Sequence, residues 1–125
     1  MSERISITYI HEPTDLQCGQ AVLAMLTGMT AEAVSDELGN TRETNLKEMK
    51  DFLRKHGILV MDQRVPVTDK NELPTICLLS LETPRCWHWS LYCDGRFYDP
   101  ERGIMHDFPE SARKYYWELR LLSYN

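Results

Sequence analysis

The sequence predicts an α+β domain, and three observations carry that expectation. Apolar residues in the first half recur at helical spacing, whereas in the second half they alternate or run continuously as strands do. An Asp94-Gly95 pair lies between two strand-like runs, where it reads as a two-residue hairpin turn. Helices first and hairpin-linked strands afterwards define the class. The 125 residues are enough for a single core, and no repeat or linker divides them, so residues 1–125 are read as a single domain. With 19 acidic against 14 basic residues the net charge is −5, which argues against a nucleic-acid partner or an anionic membrane surface. The apolar runs are far shorter than a membrane span and the charged start does not read as a signal peptide, so a cytoplasmic protein is expected. Four cysteines (Cys18, Cys77, Cys86 and Cys93) are too few for a disulfide scaffold and are expected as thiols.

Residues Ile5 to Ile10 read as a short strand and His11 to Asp15 as a turn. From Cys18, the positions Ala21, Val22, Met25 and Leu26 form a helical stripe that Gly28 closes. Thr30 starts a second helix, with Ala33, Val34 and Leu38 inward and Gly39 at its end. Asn45 and Glu48 have the spacing of a capping box, ahead of a stripe of Leu46, Met49, Phe52 and Leu53 that Gly57 ends. Ile58 to Met61 and Thr75 to Leu81 read as strands, the second continuous enough to be central. Trp87 to Cys93 and Arg96 to Asp99 form the hairpin. Pro109 to Tyr116 reads as a helical turn, and Trp117, Leu119 and Leu121 alternate as a closing strand.

The hairpin yields a sharper deduction. With Asp94 and Gly95 in the turn, Cys93 pairs with Arg96, Tyr92 with Phe97 and Ser90 with Asp99. Side chains alternate along strands, so His88, Ser90 and Asp99 share a face. Asp99 is then a diagonal neighbour of His88, at a backbone separation of roughly 7–8 Å that the two side chains can bridge. A histidine oriented by an aspartate can serve a nucleophile, and Cys18 is the candidate. At the first turn of a helix, the positive end of the dipole and a protonated histidine both favour thiolate, while burial opposes it. Free N–H groups of that first turn, including that of Cys18, can receive a developing oxyanion.

The segment Gln17-Cys18-Gly19-Gln20-Ala21-Val22-Leu23-Ala24-Met25-Leu26-Thr27-Gly28 resembles the nucleophile motif of the C39-like branch of papain-fold cysteine peptidases. His88-Trp89-Ser90-Leu91-Tyr92 and Tyr98-Asp99-Pro100-Glu101-Arg102-Gly103 resemble the same family's histidine strand and Asp-Pro turn. The resemblance implies a papain-like α+β fold, with the nucleophile at the start of the first helix and the helices packed on an antiparallel sheet. It implies Cys18 as nucleophile, His88 as general base and acid, and Asp99 as the orienting group. It also implies a peptide or protein substrate and no cofactor or metal. The family pattern has a glutamine about six residues before the nucleophile, whose amide helps form the oxyanion hole. Here that position is Glu12, an acceptor only when ionised, and Gln17 is the nearest amide. Both are oxyanion-hole candidates, and weakened catalysis is the expectation. No transporter portion accompanies the motif, so leader cleavage is not the expected detail.

The remaining conspicuous residues have simpler assignments. Cys77 and Cys93 read as core, and Cys86 as either a wall of the site or an idle thiol. Trp87 and Trp89 face away from His88 by parity and read as core rather than a substrate platform. His56 suits a helix C-terminus, and His11 and His106 read as surface turn residues. Cys86, His88 and Cys93 lack the spacing of a zinc site. The expected function is a cysteine-dependent amide hydrolase, foremost a peptidase working through a thioester. The alternatives are a glutamine deamidase or acyl transferase with the same triad, or a silent papain-like domain that binds a peptide or protein.

Overall fold

A computed structural model describes residues 7–122. Helix α1 (Cys18–Thr27) is the centrepiece: all its residues but the last are buried, and Gly28 closes it in the left-handed conformation at φ 78°. The single stripe expected from the sequence understates this burial, because neighbours enclose the helix on every side. Helix α2 (Ala31–Leu38) is capped by the Thr30 side chain, which accepts from the Ala33 N–H. Val34 is its buried centre; Ser35 is buried beside it, while Ala33 and Leu38 are only partly covered. Helix α3 (Leu46–Lys55) carries the reciprocal capping box of Asn45 and Glu48, and buries Met49, Phe52 and Leu53. His56 follows as its C-cap and pairs with Glu37 at 2.8 Å.

The sheet follows: β1 (Ile58–Val60), β2 (Val65–Pro66), β3 (Ile76–Glu82), β4 (Trp87–Cys93), β5 (Arg96–Asp99), β6 (Gly103–Met105) and β7 (Lys114–Leu121). Its order is β1-β7-β3-β4-β5-β6, with β2 also pairing β7, and every pairing is antiparallel. Strand β3 is central, as its unbroken apolar run requires. Ile76 and Leu78 join a core beneath the helices, with Val22, Met25, Phe52, Leu91 and Trp117. Cys77, Leu79 and Leu81 join a second core on the opposite face, with Phe97, Met105 and Phe108. A one-residue slip of β3 would exchange these two sets, so burial on both faces fixes the register.

Two expectations are corrected. Residues 109–116 do not form a helical turn: β7 begins at Lys114 and pairs Lys114 to Glu118 with β3. The open edge of β3 recruits the aromatic, β-prone Tyr115-Tyr116-Trp117, and that non-local pairing overrides the local signal. Residues 7–10 form no strand; Ile7, Tyr9 and Ile10 pack their side chains on the helix-side core instead, and the start of that expected strand lies outside the described residues. The short strands β2 and β6 carried too little periodicity to be anticipated. At the hairpin, Asp94 (φ 48°) and Gly95 (φ 86°) both take positive φ, as a type I′ turn requires.

Candidate active site

The turn sets Cys93 opposite Arg96 and Tyr92 opposite Phe97. His88, Ser90 and Asp99 therefore lie on one face of the sheet, and it is the face turned away from the helices. Asp99 is fully buried and His88 is 7 % exposed. The hydrogen bond deduced from strand parity is present: His88 Nε2 donates to Asp99 Oδ1 at 3.1 Å. Asp99 Oδ1 also accepts from the N–H groups of Glu101 and Arg102, both at 3.0 Å, and Oδ2 accepts from Ser90 Oγ at 3.0 Å. The Asp99 carbonyl accepts from the Tyr9 hydroxyl at 2.6 Å. The parity argument placed Ser90 opposite Asp99 without giving it a role, whereas nothing local in the sequence pointed to Tyr9.

Cys18 belongs to the helix-covered face, and the end of a strand lets it reach His88. Strand β5 stops at Asp99, before any residue can pair with Trp89. The Trp89 N–H is donated to Cys18 Sγ at 3.4 Å instead. Cys18 and His88 line the same cleft, and because Asp99 occupies Nε2 the free ring nitrogen of His88 is Nδ1. Burial by itself would lower the His88 pKa. Hydrogen bonds with Asp99 and Cys18, together with their negative charge, outweigh burial and hold it above the usual histidine range. For Asp99, burial would raise the pKa, but the His88 hydrogen bond and charge, with the Glu101 N–H and Ser90, keep it below the usual carboxylate range. Both shifts favour an ion pair of imidazolium and carboxylate.

Beside Cys18 and His88 lies a cleft of about 210 Å³, also lined by Glu43, Thr44, Ser80, Trp87 and Trp89. The core assignment of the two tryptophans is corrected in part. Trp89 packs on the helix-side core and donates its indole N–H to the Thr44 carbonyl at 2.7 Å. Trp87 is 45 % exposed at the cleft, because β4 projects past the end of β5 and leaves its first residue uncovered. A larger depression of about 420 Å³, beside the C-terminal half of α1 and lined by Ile10, Met25 and Met29, contains no titratable side chain.

Gly19 sets how closely α1 approaches this cleft. A Cβ there would stand 2.8 Å from Thr44 Cβ, 2.9 Å from Thr44 Oγ1 and 3.2 Å from Trp89 Cδ1. Gly19→Ala should therefore cost about 1–3 kcal/mol of stability and slow modification of Cys18, because relief of the clash shifts Trp89. Thr44→Gly removes the two nearest atoms and should restore most of the loss in the double variant. Urea unfolding and thiol labelling of the three variants test this, and additive losses would place the strain elsewhere.

The two oxyanion-hole candidates are placed differently. Gln17 is buried before α1, but its Nε2 donates to Ser35 Oγ at 3.2 Å and its Oε1 accepts from Thr14 Oγ1 at 3.0 Å. Its amide is thus directed towards α2. Glu12 donates its backbone N–H to the Pro100 carbonyl at 2.9 Å, and its carboxyl is buried with Oε1 bonded to nothing among the described residues. Burial raises its pKa, the charge of His88 opposes this, and the Glu101 and Asp99 carboxylates reinforce it.

The other thiols stand apart from the site. Cys77 is fully buried and its pKa is driven up by burial; Cys93 is pushed up to about 11, chiefly by burial and then by Asp94. Cys86 is exposed in the β3–β4 turn, where its backbone carbonyl accepts from Thr83 Oγ1, and it does not line the cleft. Among the described residues no group of three or more His, Cys, Asp or Glu side chains is placed to hold a metal ion. No helix among them is long and apolar enough to cross a membrane.

No protein-family model and no curated protein sequence matches the chain. A solved structure does: a double glycine motif protease from an AMS/PCAT transporter, crystallised in complex with the leader peptide. The TM-score is 0.59 at 17 % sequence identity, over 94 % of this chain and 95 % of that one. The chain has the papain-like α+β fold of the C39 proteases, with three helices packed on an antiparallel sheet.

Proposed function

We propose that the protein is a cysteine-dependent amide hydrolase, foremost a peptidase, with Cys18 as nucleophile, His88 as general base and acid, and Asp99 as the group that orients His88. The observation that carries this reading is the placement of His88 between a buried carboxylate and the Cys18 sulfur, at the mouth of a cleft. His88 takes the Cys18 proton, and the thiolate attacks the amide carbonyl carbon, moving the C=O electron pair onto oxygen. The Cys18 N–H, free at the first turn of α1, points to that oxygen. As the intermediate collapses the C–N bond breaks, and His88 protonates the departing amine to leave a thioester. His88 then deprotonates a water that attacks the thioester, releasing the acid and returning the proton to sulfur. Asp99 stabilises the imidazolium in both halves, and the Trp89 N–H stabilises the thiolate before it attacks and again as the acid is released.

The protease of like fold was crystallised with a leader peptide, so a peptide is the first substrate class to try. Deamidation of glutamine or transfer to an amine shares the same thioester and differs only in what attacks it. The cytosol suits four free thiols. One feature favours a peptide-binding module without turnover: Glu12 stands where the family pattern has a glutamine, and the side-chain amide donor is missing there.

Limiting iodoacetamide, with peptide mapping by mass spectrometry, tests the assignment without a known substrate. Cys18 should react first at mildly acidic pH, ahead of the exposed Cys86, and the buried Cys77 and Cys93 should react only on unfolding. His88→Ala should slow Cys18 at least tenfold, since loss of one favourable charge contact is worth about 1.4 kcal/mol or more. Equal labelling of Cys18 and Cys86, unaffected by His88→Ala, would leave Cys18 an ordinary thiol.

A further inference from the structure

We propose that the cleft selects a cationic side chain, lysine or arginine, beside the scissile amide, with Glu43 as its counter-charge and Trp87 as the aromatic surface beneath it. The proposal rests on the reading of Cys18 as nucleophile and names the substrate class of that same site. Three observations converge on it. Glu43 is exposed and lines the cleft of about 210 Å³ that also holds Cys18 and His88, a space small enough to bring it close to any group Cys18 attacks. Its carboxylate has no ion-pair partner among the described residues: the neighbouring Arg42 guanidinium is given to Glu48 at 2.8 Å and to the Glu43 backbone carbonyl at 2.7 Å. Finally, Trp87, at 45 % exposure, lines the same cleft.

The wall that carries Glu43 is built before any substrate arrives. Three successive backbone carbonyls are held there: that of Arg42 by Gln20 Nε2 at 2.7 Å, that of Glu43 by Arg42, and that of Thr44 by the Trp89 indole at 2.7 Å. Asn45 then caps α3. The backbone under Glu43 therefore has little freedom left to lose on binding. The other charges near the cleft are matched within the protein. A protonated His88 faces Asp99 at 3.1 Å, and Arg113, 5.4 Å from the centre of the Trp87 ring, is held by Glu82 at 2.8 and 3.0 Å. Glu43 is thus the unmatched charge on the cleft wall, and it is negative. An indole ring attracts a cation and also packs against its alkyl stem, and the Arg113 contact has that form already. An acidic side chain in the same place would be repelled by Glu43 and would gain nothing from the ring.

Two methanethiosulfonates that differ in charge, the cationic trimethylammonioethyl and the anionic sulfonatoethyl reagent, test the cleft without a known substrate. Modification of Cys18 is followed by mass spectrometry, and each rate is divided by that on N-acetylcysteine. Taking the ratio of the two reagents cancels any change in the thiolate fraction. In the wild type the cation should be favoured about tenfold, and the preference should shrink at about 1 M salt. Glu43→Gln should cut the ratio about threefold or more, Glu43→Lys should invert it, and Trp87→Leu should lower it more than Trp87→Phe does. Glu43 is exposed, so its variants keep the fold. Peptides of a chymotryptic proteome digest then read the substrate itself. New ends made by the wild type should carry lysine or arginine beside the cut, and Glu43→Lys should replace them with aspartate or glutamate. A ratio unchanged by Glu43→Gln, or cleavage without preference for basic residues, overturns the proposal while leaving Cys18 a nucleophile. No cleavage of any peptide, with the ratio intact, overturns the hydrolase reading and not the selection of cations.

Discussion

Asp99→Ala should cost about 3–5 kcal/mol of folding stability, because it leaves a buried histidine without its counter-charge. Asp99 accepts from His88, Ser90, Glu101 and Arg102 while fully shielded from water. Alanine removes all four acceptor contacts at once, whereas Asp99→Asn retains one oxygen for the backbone donors and should cost less. The loss also has a defined pH profile. The Asp99 carboxyl titrates lower in the folded chain than in the unfolded one, so its contribution is present above the unfolded value of about 3.9 and is lost as pH falls through the lower folded value. His88 titrates higher when folded, so its contribution is complete below about 6.5 and is lost as pH rises through the raised folded value. The stability gap between wild type and Asp99→Ala should accordingly be widest between roughly pH 4 and 6.5 and narrow on both sides. Urea unfolding from pH 3 to 9 measures it. A gap below about 1 kcal/mol, or one flat across this range, would mean that the two groups do not form a buried ion pair.

Cys18→Ala and His88→Ala should each lower turnover of a cleavable peptide by up to about a million-fold, and the double variant should fall no further. The reason lies in the shared step: His88 has nothing to deprotonate without the thiol, and the thiol attacks slowly without His88. Residual activity then reflects binding and the oxyanion donors alone, which neither substitution touches. Screening a fluorogenic peptide-amide library with wild type identifies the cleavable sequence, and the three variants are then compared on it. If the two losses multiplied, the residues would act in separate steps. Retention of activity within tenfold in His88→Ala would remove His88 from the chemistry.

How much of the site the sequence disclosed depends on how local each determinant is. His88 and Asp99 could be joined on paper because a two-residue turn fixes strand pairing, and strand pairing fixes which side chains share a face. Ser90 came from the same argument, although only the structure shows it donating to Asp99. The direction of Gln17 could not be read, since Ser35, the partner that turns it away, belongs to the next helix. The exposure of Trp87 was missed because strand parity names a face without saying how far the neighbouring strand extends.

The sequence by itself determined the three helix boundaries, the hairpin and the α+β order. Each is set by groups a few residues apart: the Asn45–Glu48 capping box, the left-handed closures at Gly28 and Gly39, and the positive φ of Asp94 and Gly95. Tertiary structure alone decided that residues 114–121 form a strand, because the stabilisation comes from pairing with β3, more than thirty residues away in the chain. It alone brought Cys18 to the Trp89 N–H, 71 residues on, through the early end of β5. It also buried the Glu12 side chain and left its Oε1 without a partner among the described residues. Desolvation and long-range contact depend on which distant segments exclude water from a group, and a local pattern of residues does not encode that.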